Sequence, residues 1–355
     1  MSRRTSARRV VLLLAFASVA VAAAFLVFGS ASALADPGRG WRALLDWSRG
    51  TDADPTGRAL LAMRFWRCAT GAGVGAALAF AGALLQGLFR NPLASPSVLG
   101  ITTGASVGAA GAIACAGLFG LALPASGVAS PVGAWLVPLF AFAGALGVGI
   151  VVHSIAAARG HLSVPALLLV GLASNTFLGG LLSLLQQLML ERWDAMRSIL
   201  AWSFGTLVDR GPWHALVVLV LALPCIALGT RVGWELDLLQ AGEEDARQLG
   251  VDTARVRRVA FVTATLATSA AVAVAGQIAF VGLIVPHLVR LCGVREHRAL
   301  LLVSALAGAV FLPAADLAQI VALDDALAPG VVMSLLGGPF FVWLLWRERR
   351  AIARW

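Results

Sequence analysis

Apolar runs, each about the length of a bilayer crossing, alternate along this chain with short polar interruptions. A spanning helix needs about 20 predominantly apolar residues. The pattern predicts ten such spans, over residues 10–29, 64–88, 95–121, 131–157, 164–190, 212–230, 256–276, 278–293, 299–317 and 329–346. The eighth is short for a crossing. Glycines punctuate the early runs at Gly71, Gly75, Gly82, Gly104, Gly108, Gly111, Gly144 and Gly147. They lie inside continuous apolar helix and follow no strand, which excludes a dinucleotide-binding loop. Small residues four apart instead let helix backbones approach closely, because lipid supplies no hydrophobic drive between helices. The expectation is an all-α, polytopic membrane protein of about ten transmembrane helices, one tightly packed domain over residues 1–355.

Three polar interruptions are long: Ser30 to Met63, Glu191 to Gly211 and Arg231 to Arg255. The first holds Asp36-Pro37-Gly38, Asp52 and Asp54-Pro55, turn formers that suit a loop with one short amphipathic helix around Trp41 to Trp47. In the second, Ile199 to Leu207 reads as a surface helix lying against the bilayer. The third contains Gly242-Glu243-Glu244-Asp245-Ala246-Arg247-Gln248-Leu249-Gly250, a charged island between two apolar spans. Glycines bound it, and its acids fall in the first turn, where the helix dipole favours them. Nothing so polar can lie in hydrocarbon, so it predicts a compact, water-facing helix suited to docking a soluble partner.

Composition sharpens the class. The 355 residues are 59% hydrophobic and 13% charged, with a mean hydropathy of +0.87, more apolar material than a soluble core could hide. All 27 basic residues are arginine. A phosphate-binding loop of the Walker A type needs a lysine reaching the β/γ-phosphates, so any nucleotide energy must come from another chain. The net charge of +9 does not indicate nucleic acid, because the arginines are scattered at span ends rather than gathered on one face.

With ten spans and a cytoplasmic N-terminus, eighteen arginines fall on the cytoplasmic side and nine outside. This obeys the positive-inside rule; it places the Gly242–Gly250 helix and both termini in the cytoplasm. Trp41, Trp47, Trp193, Trp202, Trp213, Trp234, Trp343 and Trp346 cluster near span ends, as interfacial belts do. Cys68, Cys115, Cys225 and Cys292 are dispersed and read as packing residues. The N-terminus, with Arg3-Arg4, Arg8-Arg9 and Ala33-Leu34-Ala35, also has the outline of a cleaved signal peptide. Its 19-residue apolar run exceeds the 7–15 of such segments, so it is read as a retained first helix.

Three stretches carry a family resemblance. Arg64-Phe65-Trp66-Arg67 leads a glycine-rich run ending in Gln86-Gly87-Leu88-Phe89-Arg90-Asn91-Pro92-Leu93-Ala94-Ser95-Pro96. Gly242 to Val251 is the second. The third is Gly276-Gln277-Ile278-Ala279-Phe280-Val281-Gly282-Leu283-Ile284-Val285-Pro286-His287-Leu288-Val289-Arg290, continuing to Glu296-His297-Arg298. Together they resemble the FecCD-type permease subunits of ATP-binding-cassette importers for iron-siderophores, haem and vitamin B12, over about Arg64 to Trp346.

The resemblance implies a type II importer fold in the bacterial inner membrane. Its partners would be a cytoplasmic ATPase dimer, a periplasmic substrate-binding protein and a second permease chain, identical or paralogous. This chain would bind no cofactor; ATP and Mg would sit on the ATPase. It implies an ATPase-coupling segment at about 236–254, with Gly242, Glu243, Glu244, Asp245, Ala246, Arg247, Leu249 and Gly250 as its core and ion pairs to the ATPase from Glu243, Glu244, Asp245 and Arg247. It also implies a cytoplasmic gate at Ser163 and Val164, within Arg159 to Pro165.

Pathway residues are expected from the fifth and tenth helices: Ser174, Asn175, Thr176, Ser183, Met333 and Ser334. Polar groups inside a span are costly unless they face the bundle interior or a cavity. Arg64 and Arg67 match the family's first binding-protein contacts, although Trp66 replaces a usual proline. Ile320 stands where a second arginine is expected, and Leu323 to Gly330 lacks the glutamate-leucine-proline pattern. Asp316, Asp324 and Asp325 are the substitute contacts there. The cargo expected is an iron-siderophore; cobalamin or haem is the alternative, and Arg290-Leu291-Cys292-Gly293 with His297-Arg298 resembles the cobalamin branch.

Two other classes compete. An ion-coupled secondary transporter wants acids or broken helices at mid-membrane, and Asp316 is the one acid near a span interior. An intramembrane protease wants a zinc motif or a serine-histidine pair; the zinc motif is absent, and no serine-histidine pair stands at a plausible depth. His287 and Arg290 close a short helix and read as packing and hydrogen-bonding groups; His153, His161, His214 and His297 are isolated, so no metal site is expected.

Overall fold

The computed structural model describes residues 2–29, 41–42, 45–46, 55–118, 131–157 and 163–352. Among them are thirteen α-helices and one 3-10 turn. In chain order they are α1 (Ser2–Phe28), α2 (Pro55–Phe89), the turn Pro96–Leu99, α3 (Ile101–Leu118), α4 (Pro131–Ala156), α5 (Val164–Leu188) and α6 (Trp193–Ser203). Then follow α7 (Pro212–Arg231), α8 (Gly233–Ala241), α9 (Glu243–Gln248), α10 (Thr253–Ala275), α11 (Val281–Leu291), α12 (His297–Leu323) and α13 (Pro329–Ile352).

Eight of these, α1, α2, α3, α4, α5, α7, α10 and α12, contain segments long and apolar enough to cross a membrane. Shorter apolar stretches in α11 and α13, Val281–Leu291 and Pro329–Leu344, complete the ten expected from the runs. The predicted surface helix is α6, displaced toward the N-terminus from Ile199–Leu207. Most of the Trp41–Trp47 segment lies outside the described residues.

The helices at the centre, α2 and α10, are built from small residues. At Gly82 an added Cβ would lie 1.8 Å from the carbonyl oxygen of Gly282 on α11; at Gly75 it would lie 2.1 Å from that of Gly308 on α12. Backbone therefore touches backbone along α2, the packing small residues permit in lipid. On the other side, Gly108 of α3 meets the Phe140 carbonyl of α4 in the same way. Gly111 and Gly147, which follow the same spacing, have open space before them. Helix α10 buries Thr263 and Thr268, whose hydroxyls donate to the carbonyls of Val259 and Ala264 at 2.7 and 2.8 Å. Such back-bonding lets hydroxyl side chains sit in an apolar bundle without an unmet donor.

Two non-helical stretches enter the bundle. After α2, Arg90 takes a left-handed conformation (φ 52°), the Asn91 side chain accepts from Leu93 N at 2.9 Å, and the 3-10 turn ends at Gly100 (φ 77°). After α10, the chain turns at Gly276 (φ 72°) and runs non-helically to Phe280 before α11 begins. The expected eighth span is thus a half-helix. Non-helical backbone at membrane depth persists only where protein or a cavity meets its polar groups. Here Asn175 of α5 serves one stretch, donating to Ser97 O at 2.9 Å and accepting from Thr103 Oγ1. The other stretch is anchored through its Gln277 side chain, which donates to Thr102 O of α3 at 3.3 Å, while Gly276 N donates to Val272 O at 2.8 Å and Val281 N to Ala279 O at 2.8 Å.

Candidate functional site

The charged island folds as a separate short helix, α9, held on a platform made by α8. Gly233 starts α8 against the backbone of Arg298, where a Cβ would lie 2.7 Å from Arg298 N and Cα. The Asp237 carboxylate accepts from His297 N at 3.1 Å and contacts His297 Nδ1 at 2.6 Å, while His297 Nε2 meets Gln240 at 3.2 Å. A carboxylate over the first amides of α12 has the favourable sense for the helix dipole. Arg90, at the end of α2, donates to Leu239 O. The platform is therefore tied to two long helices at once.

On it, α9 buries Ala246 completely and closes with both bonds of a Schellman motif: Val251 N donates to Ala246 O at 3.0 Å and Gly250 N to Arg247 O at 2.9 Å. Gly250 adopts φ 83°, the left-handed conformation that favours glycine. Gly242, at φ 169°, is simply extended. Asp252 then caps α10, accepting from Arg255 N at 2.9 Å.

Glu243 is the staple of this knob. Its Oε1 accepts from Arg247 Nη2 at 2.8 Å and its Oε2 from Arg257 Nη2 of α10 at 2.5 Å. Burial alone would raise its pKa, but the guanidinium groups of Arg257, Arg247 and Arg90 hold it below the ordinary glutamate value. Ion pairs from Glu243 and Arg247 to an outside partner were expected; the structure joins these two residues to each other and to α10. Glu244, Asp245, Gln248 and Leu249 are exposed, Leu249 to 65%. The face that α9 turns to solvent is therefore made by Glu244, Asp245, Gln248 and Leu249, while Glu243 and Ala246 hold the helix in place.

At the opposite end of the bundle the arginines expected to reach outward point inward. Arg64 is fully buried and donates to the carbonyls of Leu26 and Val27 at 2.7 and 2.9 Å, closing the C-terminus of α1. Arg67, 5% exposed, forks onto Asp316 through Nε at 2.7 Å and Nη2 at 2.8 Å. Its Nη1 and Nη2 also reach the two oxygens of Asp325, both at 2.8 Å. Gln319 donates to both carboxylates, at 3.2 and 2.6 Å. The Asp325 carboxyl, which burial alone would raise, is held down by Arg67 and Gln319. Arg64, Arg67, Asp316 and Asp325 therefore cross-link α1, α2, α12 and the turn before α13; as single-chain surfaces they offer a docking partner little.

The remaining expected positions separate into two groups. Ser163 caps α5, accepting from Ala166 N at 3.4 Å, and Val164 begins that helix; residues 159–162 of the expected gate lie outside the described residues. Thr176 and Ser183 are exposed on α5 and Ser334 on α13, and each hydroxyl donates to its own helix, at 3.1, 3.0 and 2.8 Å. Ser174 is half-buried beside them. Asn175 instead pins the 3-10 turn, and Met333 is fully buried, so neither lies on an open face of the chain.

Asn175 does line a cavity of about 210 Å³ between the two non-helical stretches, with Ser95, Thr102 and Gln277. His287 is buried on α11, its ring meeting Phe340 edge-on at 5.8 Å. Asp237 and Arg257 were not anticipated. Asp237 is 60 residues from His297, and no spacing rule joins residues so far apart; the Glu243–Arg247 pair, four apart on one helix, was open to inspection.

Comparison with known proteins follows the same lines. Residues 19–347 match the FecCD transport family. The chain is 43% identical over 297 residues to the cobalamin import system permease protein BtuC of Halobacterium salinarum, covering 82% of this chain and 74% of the relative. It is 37% identical over 286 residues to the hemin transport system permease protein HmuU of Yersinia pestis, covering 78% and 79%. It is also 37% identical over 311 residues to the Fe(3+) dicitrate transport system permease protein FecD of Escherichia coli, covering 87% and 91%. A solved metal-chelate type ABC transporter in an inward-facing conformation superposes with a TM-score of 0.75 at 26% identity, over 96% of this chain and 99% of that one.

Proposed function

The chain belongs to the FecCD transport family, an importer permease, and from that premise we propose that it carries an iron-siderophore chelate across the inner membrane with α9 as the contact for a cytoplasmic ATPase. The observation that carries the reading is the construction of α9. It is a six-residue helix, closed by a Schellman motif, stapled through Glu243 to α10 and mounted on a platform fixed to α2 and α12. A helix so braced transmits a push rather than absorbing it, and its exposed Glu244, Asp245 and Leu249 are spare for an ATPase cleft. Both termini are cytoplasmic in this reading, in keeping with the arginine asymmetry.

A second chain supplies the other wall of the pathway. Helix α5 exposes Leu169, Leu172, Phe177 and Leu184 together with Thr176 and Ser183, and open space stands before Gly179 and Gly180. Hydroxyls on an outward face that is otherwise apolar suit a water-filled passage between two copies better than lipid. The periplasmic binding protein would meet the far end of such a pair, on surfaces other than Arg64 and Arg67.

The test is a reconstituted system of permease, ATPase and binding protein. Asp245→Arg and Leu249→Asp alter exposed groups whose side chains make no hydrogen bond or ion pair among the described residues; uptake should fall at least ten-fold while the permease still folds. Unchanged uptake in both variants refutes the coupling role. A cobalamin cargo is the second reading, favoured by the 43% identity to a cobalamin permease. Uptake of labelled ferric chelate and labelled cobalamin by a strain lacking this chain separates the two.

A further inference from the structure

A groove of about 1860 Å³ runs between α1 and α7, with α2 and α12 as its floor. We propose that it is a binding site for one phospholipid with an ethanolamine headgroup, from the leaflet at the α9 end. The floor is made of Ala72 and Ala76 on α2 and Ala305 and Ala309 on α12, and the walls include Val11 of α1 and Leu223 of α7. Where α2 and α12 face each other, glycines bring their backbones together. Where they face outward here, alanines are too short to fill the space between the flanking helices.

Three features select the occupant. The volume is above the roughly 300–1,000 Å³ of small-molecule pockets, so a single compact solute would rattle in it. Along α12 the groove runs from Ala299 to Ala309, ten helical rises and so about 15 Å at 1.5 Å per residue, and α2 carries it about a turn further. That is close to half of a hydrocarbon core of about 30 Å, the depth of one leaflet. Polar groups line it at one end only: Trp234, Asp237, Arg295 and Glu296. A transmembrane helix from another protein would need a track across both leaflets with polar groups at each end. A lipid has one head, and the groove has one polar mouth.

The chemistry of the mouth fits a zwitterion. Asp237 is committed to His297. Arg295 is exposed and makes no ion pair among the described residues, which leaves its planar fork for a phosphate. Glu296, exposed beside it, is placed to accept from a primary ammonium. The exposed Trp234 indole belongs at headgroup level.

The experiment uses the purified full chain in nanodiscs of phosphatidylcholine doped with a phosphatidylethanolamine that carries a photoreactive acyl chain. Labelling should map to the α2, α7 and α12 peptides that line the groove. Leu223→Trp and Leu306→Trp each fill it from an exposed leucine, and each should cut that labelling at least ten-fold; Leu172→Trp, on α5, should leave it unchanged. Glu296→Gln, which removes the acceptor for the ammonium, should remove the preference over a phosphatidylglycerol probe. Because the two filling variants are independent, either one that folds decides the matter. Groove labelling that persists in a folded Leu223→Trp or Leu306→Trp chain overturns the proposal, as does a groove occupied by another protein's helix, or equal labelling by both probes in the unaltered chain.

Discussion

Replacing Arg67 by methionine isolates the buried charge cluster at the end of the bundle opposite α9. Asp316 is fully buried, and Arg67 meets both of its oxygens; Gln319 at 3.2 Å is the other side-chain donor. Methionine keeps most of the stem and removes the charge. Taking one member from a buried pair costs about 3–5 kcal/mol, because the survivor stays buried without compensation. Asp325, with 19% of its side chain exposed, retains access to water, and its share is no more than about 1 kcal/mol. Arg67→Met should therefore lower the unfolding free energy by about 3–5 kcal/mol. The double variant Arg67→Met/Asp316→Leu removes both charges, and swapping a buried pair for apolar groups is often neutral or better, so most of the loss should return. Reversible unfolding in mixed micelles, followed by tryptophan fluorescence, measures both. A single variant within about 0.5 kcal/mol of the parent, the range of a neutral surface change, or a double variant no better than the single, would refute the reasoning.

The remaining predictions concern glycines and acid. Gly82→Val places a Cβ on the Gly282 carbonyl and should destabilise by at least the roughly 1–3 kcal/mol of overpacking; Gly111→Ala, with nothing within 4 Å, should not, and the same unfolding assay separates them. Gly250→Ala, at φ 83°, should weaken the end of α9 by about 1–2 kcal/mol, whereas Gly242→Ala needs only the Asp245 carboxylate to move. Limited proteolysis at residues 248–252 should then rise in the first variant and not the second. The pKa of Glu243 is depressed in the folded chain, so its stabilisation is complete above the ordinary glutamate value of about 4.3 and is lost as pH falls through its lower folded value. A spin label at Gln248 should stay ordered from neutral pH down to that range and become mobile below it; mobility already present at pH 6 contradicts the staple.

Most of the architecture was legible because lipid reduces the folding problem to run length. The ten apolar helices sit where the runs are, and even the half-length α11 could be read from the short eighth run. What the runs could not convey is depth. Pro92 and Pro96 signalled a reversal, but that the chain re-enters at a 3-10 turn depends on Asn175, 78 residues from Ser97. The same limit governed the charged residues. Arg67 looks like a surface cation until Asp316 and Asp325, about 250 positions away, fold over it. Glu243 looked available for the same reason, since Arg257 reaches it only when α9 folds back on α10. Sequence marks where a charge is unusual; tertiary structure decides whether it is spent at home.

The glycine contacts along α2 have a mechanical corollary. Where carbonyl meets Cα with no side chain between, there is no compliant layer, and dense interiors pass strain on rather than dissipate it. Helix α2 cannot slip past α11 or α12 by one residue without driving a side chain into a peptide group. The three are therefore packed as one rigid unit, and the sliding that larger, softer side chains would allow between helices is closed to them.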